Sequence, residues 1–347
     1  MQQERFDPEN TLATELFEEI TEIRVHHPEV IEREAKRRRK RTKLTVDGKL
    51  ALVAADHPGR GVTKIRDDQL AMGDRYQVIA RVRRLLDDSN LDGILATSDL
   101  LEELLILSHL ERREKGEGFL DDRVLVGSMN RGGLSGTAFE MADTFTGISA
   151  DRLAELRCDG GKMLYRLDPE DSASGHTIEA CANAVNSLRR HRLAAFVEAL
   201  EVRHGTDGYH TIQDSAALIR QCGIAAALGD SSAHLWLKLP YSDDFGRVCR
   251  ATTLPILLLG GPARESPIDT LRDFAAGLGS GPRVRGAVIG RNLLFPLDRD
   301  PLPMCRALTA MIHRGATFDE AVQLLAEAPV VASHRSNTNS NRRQKRA

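Results

Sequence analysis

The sequence predicts an α/β fold, a (β/α)8 TIM barrel with an N-terminal helical extension, and three observations carry that expectation. Eight short apolar runs recur along the 347-residue chain. Amphipathic stretches of helical period separate most of them. The first run is followed by Asp56-His57-Pro58-Gly59-Arg60-Gly61 rather than G-x-G-x-x-G, so the dinucleotide fingerprint of an open, doubly wound sheet is absent. Short β-rich runs alternating with helical patterns indicate β-α units and a parallel sheet. Eight units in about 280 residues fit a closed barrel better than an open sheet.

The elements follow in order. Residues 1–45 form the extension, and 11–45 read as helical, starting at Thr11-Leu12-Ala13-Thr14-Glu15-Leu16 and ending in the basic run Arg37-Arg38-Arg39-Lys40-Arg41-Thr42-Lys43. Such a run can bind nucleic acid, but it is more often a solvated helix face or a subunit contact, and that reading is taken here. Residues 46–330 form the barrel. Its strands are expected at Leu50–Asp56, Leu91–Thr97, Arg123–Met129, Gly161–Leu167, Leu193–Leu200, His234–Leu239, Leu254–Gly260 and Val284–Gly290. Helices are expected at Asp68–Leu86, Leu100–Arg113, His176–Arg190, Ile212–Ala227, Ser266–Leu278 and Thr317–Ala326. The remainder, 331–347, is polar and basic and reads as disordered, since from about Ser333 it lacks the large hydrophobic residues that could order it.

Composition narrows the function classes. A net charge of -2 gives no global attraction to nucleic acid or to an acidic membrane. The five cysteines are odd in number, widely spaced and without a C-x-x-C pair, which suits reduced thiols rather than disulfides or a zinc site. His57, His176, His210 and His234 form no ligand-spaced cluster, so no metal is expected, and no other cofactor is either. No apolar stretch approaches the ~20 residues of a membrane span, and the acidic start does not look like a signal peptide. A cytoplasmic protein without membrane or nucleic-acid partners is expected. The long N-terminal helix suggests a homo-oligomer.

Two lysines stand out. Lys238 lies in the apolar run Leu235-Trp236-Leu237-Lys238-Leu239, and Lys162 lies in Gly161-Lys162-Met163-Leu164. An ammonium is almost never fully buried without a partner. For a lone case, a strand-end lysine whose head escapes to water would be the plainer reading. A free lysine is neutral in only about one molecule in a few thousand at pH 7. Burial and a second cation would lower its pKa and free the amine to attack a ketone. The resulting iminium is an electron sink that lets a carbon–carbon bond break. Glu198 on strand five and Asp56 on strand one are the available proton-transfer groups. They could equally serve only to neutralise the lysines, and which lysine has the lower pKa is left open.

Chemistry in barrels collects at the C-terminal strand ends. Gly260-Gly261 and Gly290-Arg291 place bare backbone after strands seven and eight, where barrels often hold a phosphate. Arg291 could add a charge-assisted contact. The competing reading is that the glycines only make tight turns.

Ala54-Ala55-Asp56, Gly161-Lys162-Met163-Leu164, Phe196-Val197-Glu198, Leu237-Lys238, Leu259-Gly260-Gly261 and Ile289-Gly290-Arg291-Asn292 together resemble the class I aldolases of the deoxyribose-phosphate, archaeal-type fructose-bisphosphate and tagatose-bisphosphate group. The resemblance spans roughly residues 46 to 312. It implies that Lys238 forms the Schiff base, that Asp56 is the strand-one aspartate, that the two glycine loops hold phosphate, and that the partner is a phosphorylated sugar substrate. The chain departs from the family's usual segment at His57-Pro58-Gly59 and at Arg166. Arg131 and Arg166 near the mouth suggest a second anionic group on the substrate, a carboxylate or a second phosphate. The chain also resembles an actinobacterial branch associated with inositol breakdown. That resemblance implies cleavage of 2-deoxy-5-keto-gluconate 6-phosphate to dihydroxyacetone phosphate and malonate semialdehyde. The alternatives are another aldolase of the group, or a non-catalytic, sugar-phosphate-binding regulator.

Overall fold

The structure is a computed structural model that describes residues 5–131, 134–206, 208–297 and 299–326. Nine strands form one sheet: β1 (Leu50–Ala54), β2 (Gly93–Ala96), β3 (Val124–Ser128), β4 (Gly160–Leu167), β5 (Ala194–Gly205), β6 (Gly208–Ile212), β7 (Leu235–Pro240), β8 (Ile256–Leu259) and β9 (Val284–Ile289). All but β6 run parallel. The order β4-β3-β2-β1-β9-β8-β7-β5 closes on itself through the β4–β5 pairing, so the eight parallel strands form a (β/α)8 TIM barrel.

Strands buried on both faces read as continuous apolar runs, and the pleat sorts them. Leu50, Leu52 and Ala54 turn inward to pack with Leu95, Val126, Phe196, Leu257 and Val288 inside the barrel. Ala51, Val53 and Ala55 turn outward into the larger core under the helices. The helices begin where a short polar side chain can take up a free backbone N–H. Asp74 Oδ1 accepts from Gln77 N at 3.0 Å at the start of α3 (Arg75–Leu85). Asp214 Oδ1 accepts from Ala217 N at 2.8 Å at the start of the helix Ser215–Ala226.

These caps correct two expected boundaries, because the helices begin at Arg75 and Ser215 rather than at 68 and 212. The fifth strand also runs on past Leu200. Its extension pairs antiparallel with β6, from Glu201↔Ile212 to Gly205↔Gly208, and this hairpin rises over the barrel mouth.

The extension folds as α1 (Thr14–His26) and α2 (Val30–Arg37). Glu34 of α2 is fully buried and accepts hydrogen bonds from Arg112 and Ser108 on α4 (Ser98–Lys115). The helix ends at Arg37, so the rest of the basic run is not helical, and it is solvated only in part: Arg37, Arg39 and Lys43 are exposed, while others turn inward. Arg38 is 1% exposed and donates to the carbonyls of Arg123 (2.8 Å) and Arg157 (2.7 Å). Lys40 donates to Cys158 O, and Arg41 pairs with Asp92 at 2.6 Å. Leu44 then packs against the barrel's inner cluster. The run straps the N-terminal face of the barrel, and the carbonyls leading into β3 and β4 use much of its hydrogen-bonding capacity.

All five cysteines are free and buried. Among the described residues no helix is long and apolar enough to cross a membrane. The tail expected to be disordered lies outside the described residues.

Candidate active site

Strand alternation lifts one more inward layer above the apolar barrel interior, and that layer is polar. Asp56 follows Ala54 by two residues, Ser128 follows Val126, Glu198 follows Phe196 and Lys238 follows Trp236. Glu198 and Lys238 are register partners on β5 and β7. Lys162 starts one pleat lower, opposite Phe196, and its longer side chain reaches up. Its Nζ stands 3.0 Å from Asp56 Oδ2 and 2.9 Å from Glu198 Oε2. Lys238 Nζ stands 2.9 Å from the same Glu198 oxygen. Ser128 Oγ donates to Asp56 Oδ2 at 3.1 Å.

The two amines are driven in opposite directions. Burial, reinforced by the charge on Lys162, holds the Lys238 pKa below the ordinary lysine value despite the pull of Glu198. Burial acts on Lys162 too, but Asp56 and Glu198 together outweigh it and raise its pKa. Burial also opposes ionisation of the two carboxyls, yet the lysines hold both well below the usual carboxylate range. Burial pushes His57 down to about 3 even though Asp56 lies beside it.

A cavity of about 180 Å³ opens over this layer. Lys238, Asp56 and Glu198 line it, whereas the fully enclosed Lys162 (0% exposed) does not. Gly260, Gly261, Gly290 and Arg291 form one wall, as the sequence placed them. Asn292 holds that wall in shape by donating to Gly260 O at 2.7 Å and Pro262 O at 2.8 Å. Gly261 has φ +64, a left-handed conformation that suits glycine. A side chain at Gly290 would collide with the His57 ring.

Three cavity-lining polar atoms are buried without a hydrogen-bond partner: His57 Nδ1, Arg60 Nε and Arg291 Nε. An orphaned buried donor calls for an explanation, and a missing ligand is one.

Arg131 and Arg166 do not join the site. Arg166 lies two pleats past Lys162, beyond the polar layer, and pairs at 2.5 Å with Glu140 of the loop between β3 and the helix Ala150–Glu155. Arg131 donates to Thr146 Oγ1 at 3.0 Å. Neither lines the cavity. Sequence reasoning missed Arg60, and it missed Thr211 and Gln213 of the β6 hairpin, which also line the cavity. The loop His57-Pro58-Gly59-Arg60-Gly61 carried a signal for Arg60, since every residue after a barrel strand is a candidate for the mouth. Among the described residues no group of three or more His, Cys, Asp or Glu is placed to hold a metal ion.

The chain matches the Cgl0159-like family over residues 48–307. The crystal structure of Cgl0159 from Corynebacterium glutamicum is 36% identical, with a TM-score of 0.81 over 88% of this chain and 99% of that one. An archaeal fructose 1,6-bisphosphate aldolase is 18% identical, with a TM-score of 0.55 over 82% of this chain and 100% of that one. The fructose-bisphosphate aldolase from Slackia heliotrinireducens is 13% identical, with a TM-score of 0.58 over 96% and 99% of the two chains. These last two share the barrel fold.

Proposed function

The chain belongs to the Cgl0159-like family, and from that premise we propose that it is a class I aldolase, cleaving a phosphorylated keto-sugar or keto-sugar acid through a Schiff base on Lys238. One observation carries the reading. Of the two lysines in the polar layer, the one that opens on the cavity is also the one whose amine is easier to deprotonate. An amine nucleophile needs both access and a neutral form.

In the proposed reaction the neutral Lys238 amine adds to the substrate ketone and loses water to give the iminium. Asp56, which lines the cavity, takes the β-hydroxyl proton as the carbon–carbon bond breaks. The bonding electrons pass into the iminium, leaving an enamine on Lys238 and a free aldehyde. Glu198, hydrogen-bonded to Lys238, moves protons at the amine during iminium formation, enamine protonation and hydrolysis. Lys162 stays protonated and keeps both carboxylates ionised in the free enzyme, ready to take up a proton during turnover. A substrate phosphate is assigned to the Gly260–Gly261 and Gly290–Arg291 wall, where Arg291 Nε lacks a partner.

Triose-phosphate release is the test. The panel includes 2-deoxy-5-keto-gluconate 6-phosphate, fructose and tagatose bisphosphates, and deoxyribose phosphate as a control that yields triose phosphate from the aldehyde side. The reading predicts turnover of at least one member, lost in Lys238→Ala. Turnover that survives Lys238→Ala would overturn it.

A further inference from the structure

His57 has no part in the reaction proposed above, although it lines the cavity and its Nδ1 is buried without a hydrogen-bond partner. The ring is closely held. A Cβ at Gly290 would stand 2.1 Å from its Cε1 and 2.9 Å from its Nε2, so that edge lies on bare backbone. Its Nδ1 stands 3.9 Å from Asp56 Oδ1. Asp56 uses its two oxygens differently. Oδ2 accepts from Lys162 Nζ at 3.0 Å and from the Ser128 hydroxyl at 3.1 Å. Among the described residues Oδ1 accepts no hydrogen bond, and His57 Nδ1 faces it.

Oδ1 is therefore the oxygen free to take the β-hydroxyl proton. Asp56 holds such a proton poorly: burial favours the neutral carboxyl, but Lys162 outweighs it. His57 holds it better. Burial, joined by Arg291, Arg60 and Lys238, pushes the ring down to about 3 against the pull of Asp56, yet that still lies above the carboxyl. A substrate phosphate on the Gly260–Gly261 and Gly290–Arg291 wall offsets the nearby arginines and lifts the ring further. The gap between Nδ1 and Oδ1 exceeds a hydrogen bond by only about 1 Å. Catalytic contacts of that kind often tighten when substrate binds.

We propose that His57 is a positioning residue for proton transfer, which takes the β-hydroxyl proton from Asp56 and returns it, again through Asp56, to the enamine carbon. This role deepens the Schiff-base reading and rests on it. With the ring's own proton on Nε2, Nδ1 is the acceptor. As the carbon–carbon bond breaks, its electrons pass into the iminium, and the hydroxyl proton passes to Oδ1 and on to Nδ1. His57 is then an imidazolium and Asp56 is ionised again. The enamine carbon lies where the aldehyde was attached, within reach of the same carboxylate. The proton travels back to that carbon, the iminium reforms, and hydrolysis frees the product with no net gain or loss of protons. Glu198 serves the nitrogen of Lys238 throughout.

The experiment uses dihydroxyacetone phosphate alone, which isolates the enamine step from the aldehyde. In deuterium oxide, reversible enamine formation replaces a hydrogen on its hydroxymethyl carbon by deuterium, read by NMR. Borohydride trapping reads the adduct on Lys238 in parallel. His57→Asn is expected to slow exchange roughly 100-fold, the lower end for a lost proton-transfer group, and to reduce adduct formation far less. Imidazole added to His57→Ala is expected to restore exchange, whereas pyrazole, of the same shape but a much weaker base, is not. Equal loss of exchange and adduct overturns the assignment, because it reports a damaged site. Equal rescue by imidazole and pyrazole overturns it too, because the ring would then only fill space. A wild type that forms no adduct on Lys238 overturns the Schiff-base reading and this role with it. A wild-type adduct with exchange unchanged in His57→Asn overturns only the role of His57.

Discussion

Lys162 and Lys238 share a single carboxylate oxygen: each Nζ stands 2.9 Å from Glu198 Oε2. The division is unequal, because Asp56 supports Lys162 as well. A second carboxylate fixes one amine as the permanent cation, and that cation then disfavours protonation of the other. Protonation of the two amines is coupled, and the asymmetry assigns the neutral form to the lysine that reaches the cavity.

Lys162→Met tests this coupling. Removing the cation raises the Lys238 pKa, so the acidic limb of the pH dependence of adduct formation moves to higher pH. Turnover falls by about 10²- to 10⁴-fold, the usual weight of a proton-transfer network. Stability falls too, by about 3–5 kcal/mol, because Asp56 is left as a buried, unpaired charge. Single-turnover trapping between pH 5 and 9 and a urea melt read the two effects. An unmoved limb would contradict the coupling.

His57 sets a stability window. Its folded pKa, about 3, lies below the ordinary value of 6.5. Between those values the unfolded chain binds a proton that the folded chain refuses, so stability declines as pH falls from 6.5 towards 3. The slope is about 1.4 kcal/mol per pH unit for one such group. Asp56 and Glu198 act in the same direction, because their folded pKa values also lie below the ordinary range. Their stabilisation is fully present above about pH 4 to 5 and is lost at lower pH as they protonate. In urea melts across pH 4.5 to 7, His57→Asn is expected to flatten the dependence; an unchanged slope would contradict the buried, neutral ring.

Gly290→Ala drives a methyl group into the His57 ring and towards Ala54 O, 3.0 Å away. The expected cost is about 1–3 kcal/mol of overpacking. His57→Ala in the same chain removes most of that collision. A double-mutant cycle read by thermal melting is therefore expected to give a favourable coupling between the two changes, whereas simple additivity would contradict the packing.

Arg38 tests the strap across the N-terminal face. Arg38→Met leaves the carbonyls of Arg123 and Arg157 without their buried donor, and the expected loss is about 2–4 kcal/mol. Chemical denaturation measures it; a variant as stable as the wild type would show that water replaces the guanidinium freely.

The barrel was legible because parallel strands buried on both faces leave uninterrupted apolar runs, and a lysine inside such a run is conspicuous. Lys162, Lys238, Glu198 and Asp56 all fall on the inward phase of their strands, so alternation turned them into the barrel, and the length of the Lys162 side chain carries it up one pleat to the others. Arg166 shows the limit of that logic. It shares its phase with Lys162, but β4 runs beyond the polar layer, and Glu140 from a distant loop takes its charge. Arg60 was hidden for the converse reason: the turn after β1 has no periodicity, and only the fold shows that its guanidinium reaches the cavity. The basic run Arg37–Lys43 looked like a helix face because its partners are backbone carbonyls, which no sequence pattern advertises.

In the proposed reaction Lys238 is the nucleophile and Lys162 its charged companion. Incubation with dihydroxyacetone phosphate and borohydride, followed by peptide mass mapping, tests it most directly. One reduced adduct, on Lys238, is expected. An adduct on Lys162, or on neither lysine, would contradict it.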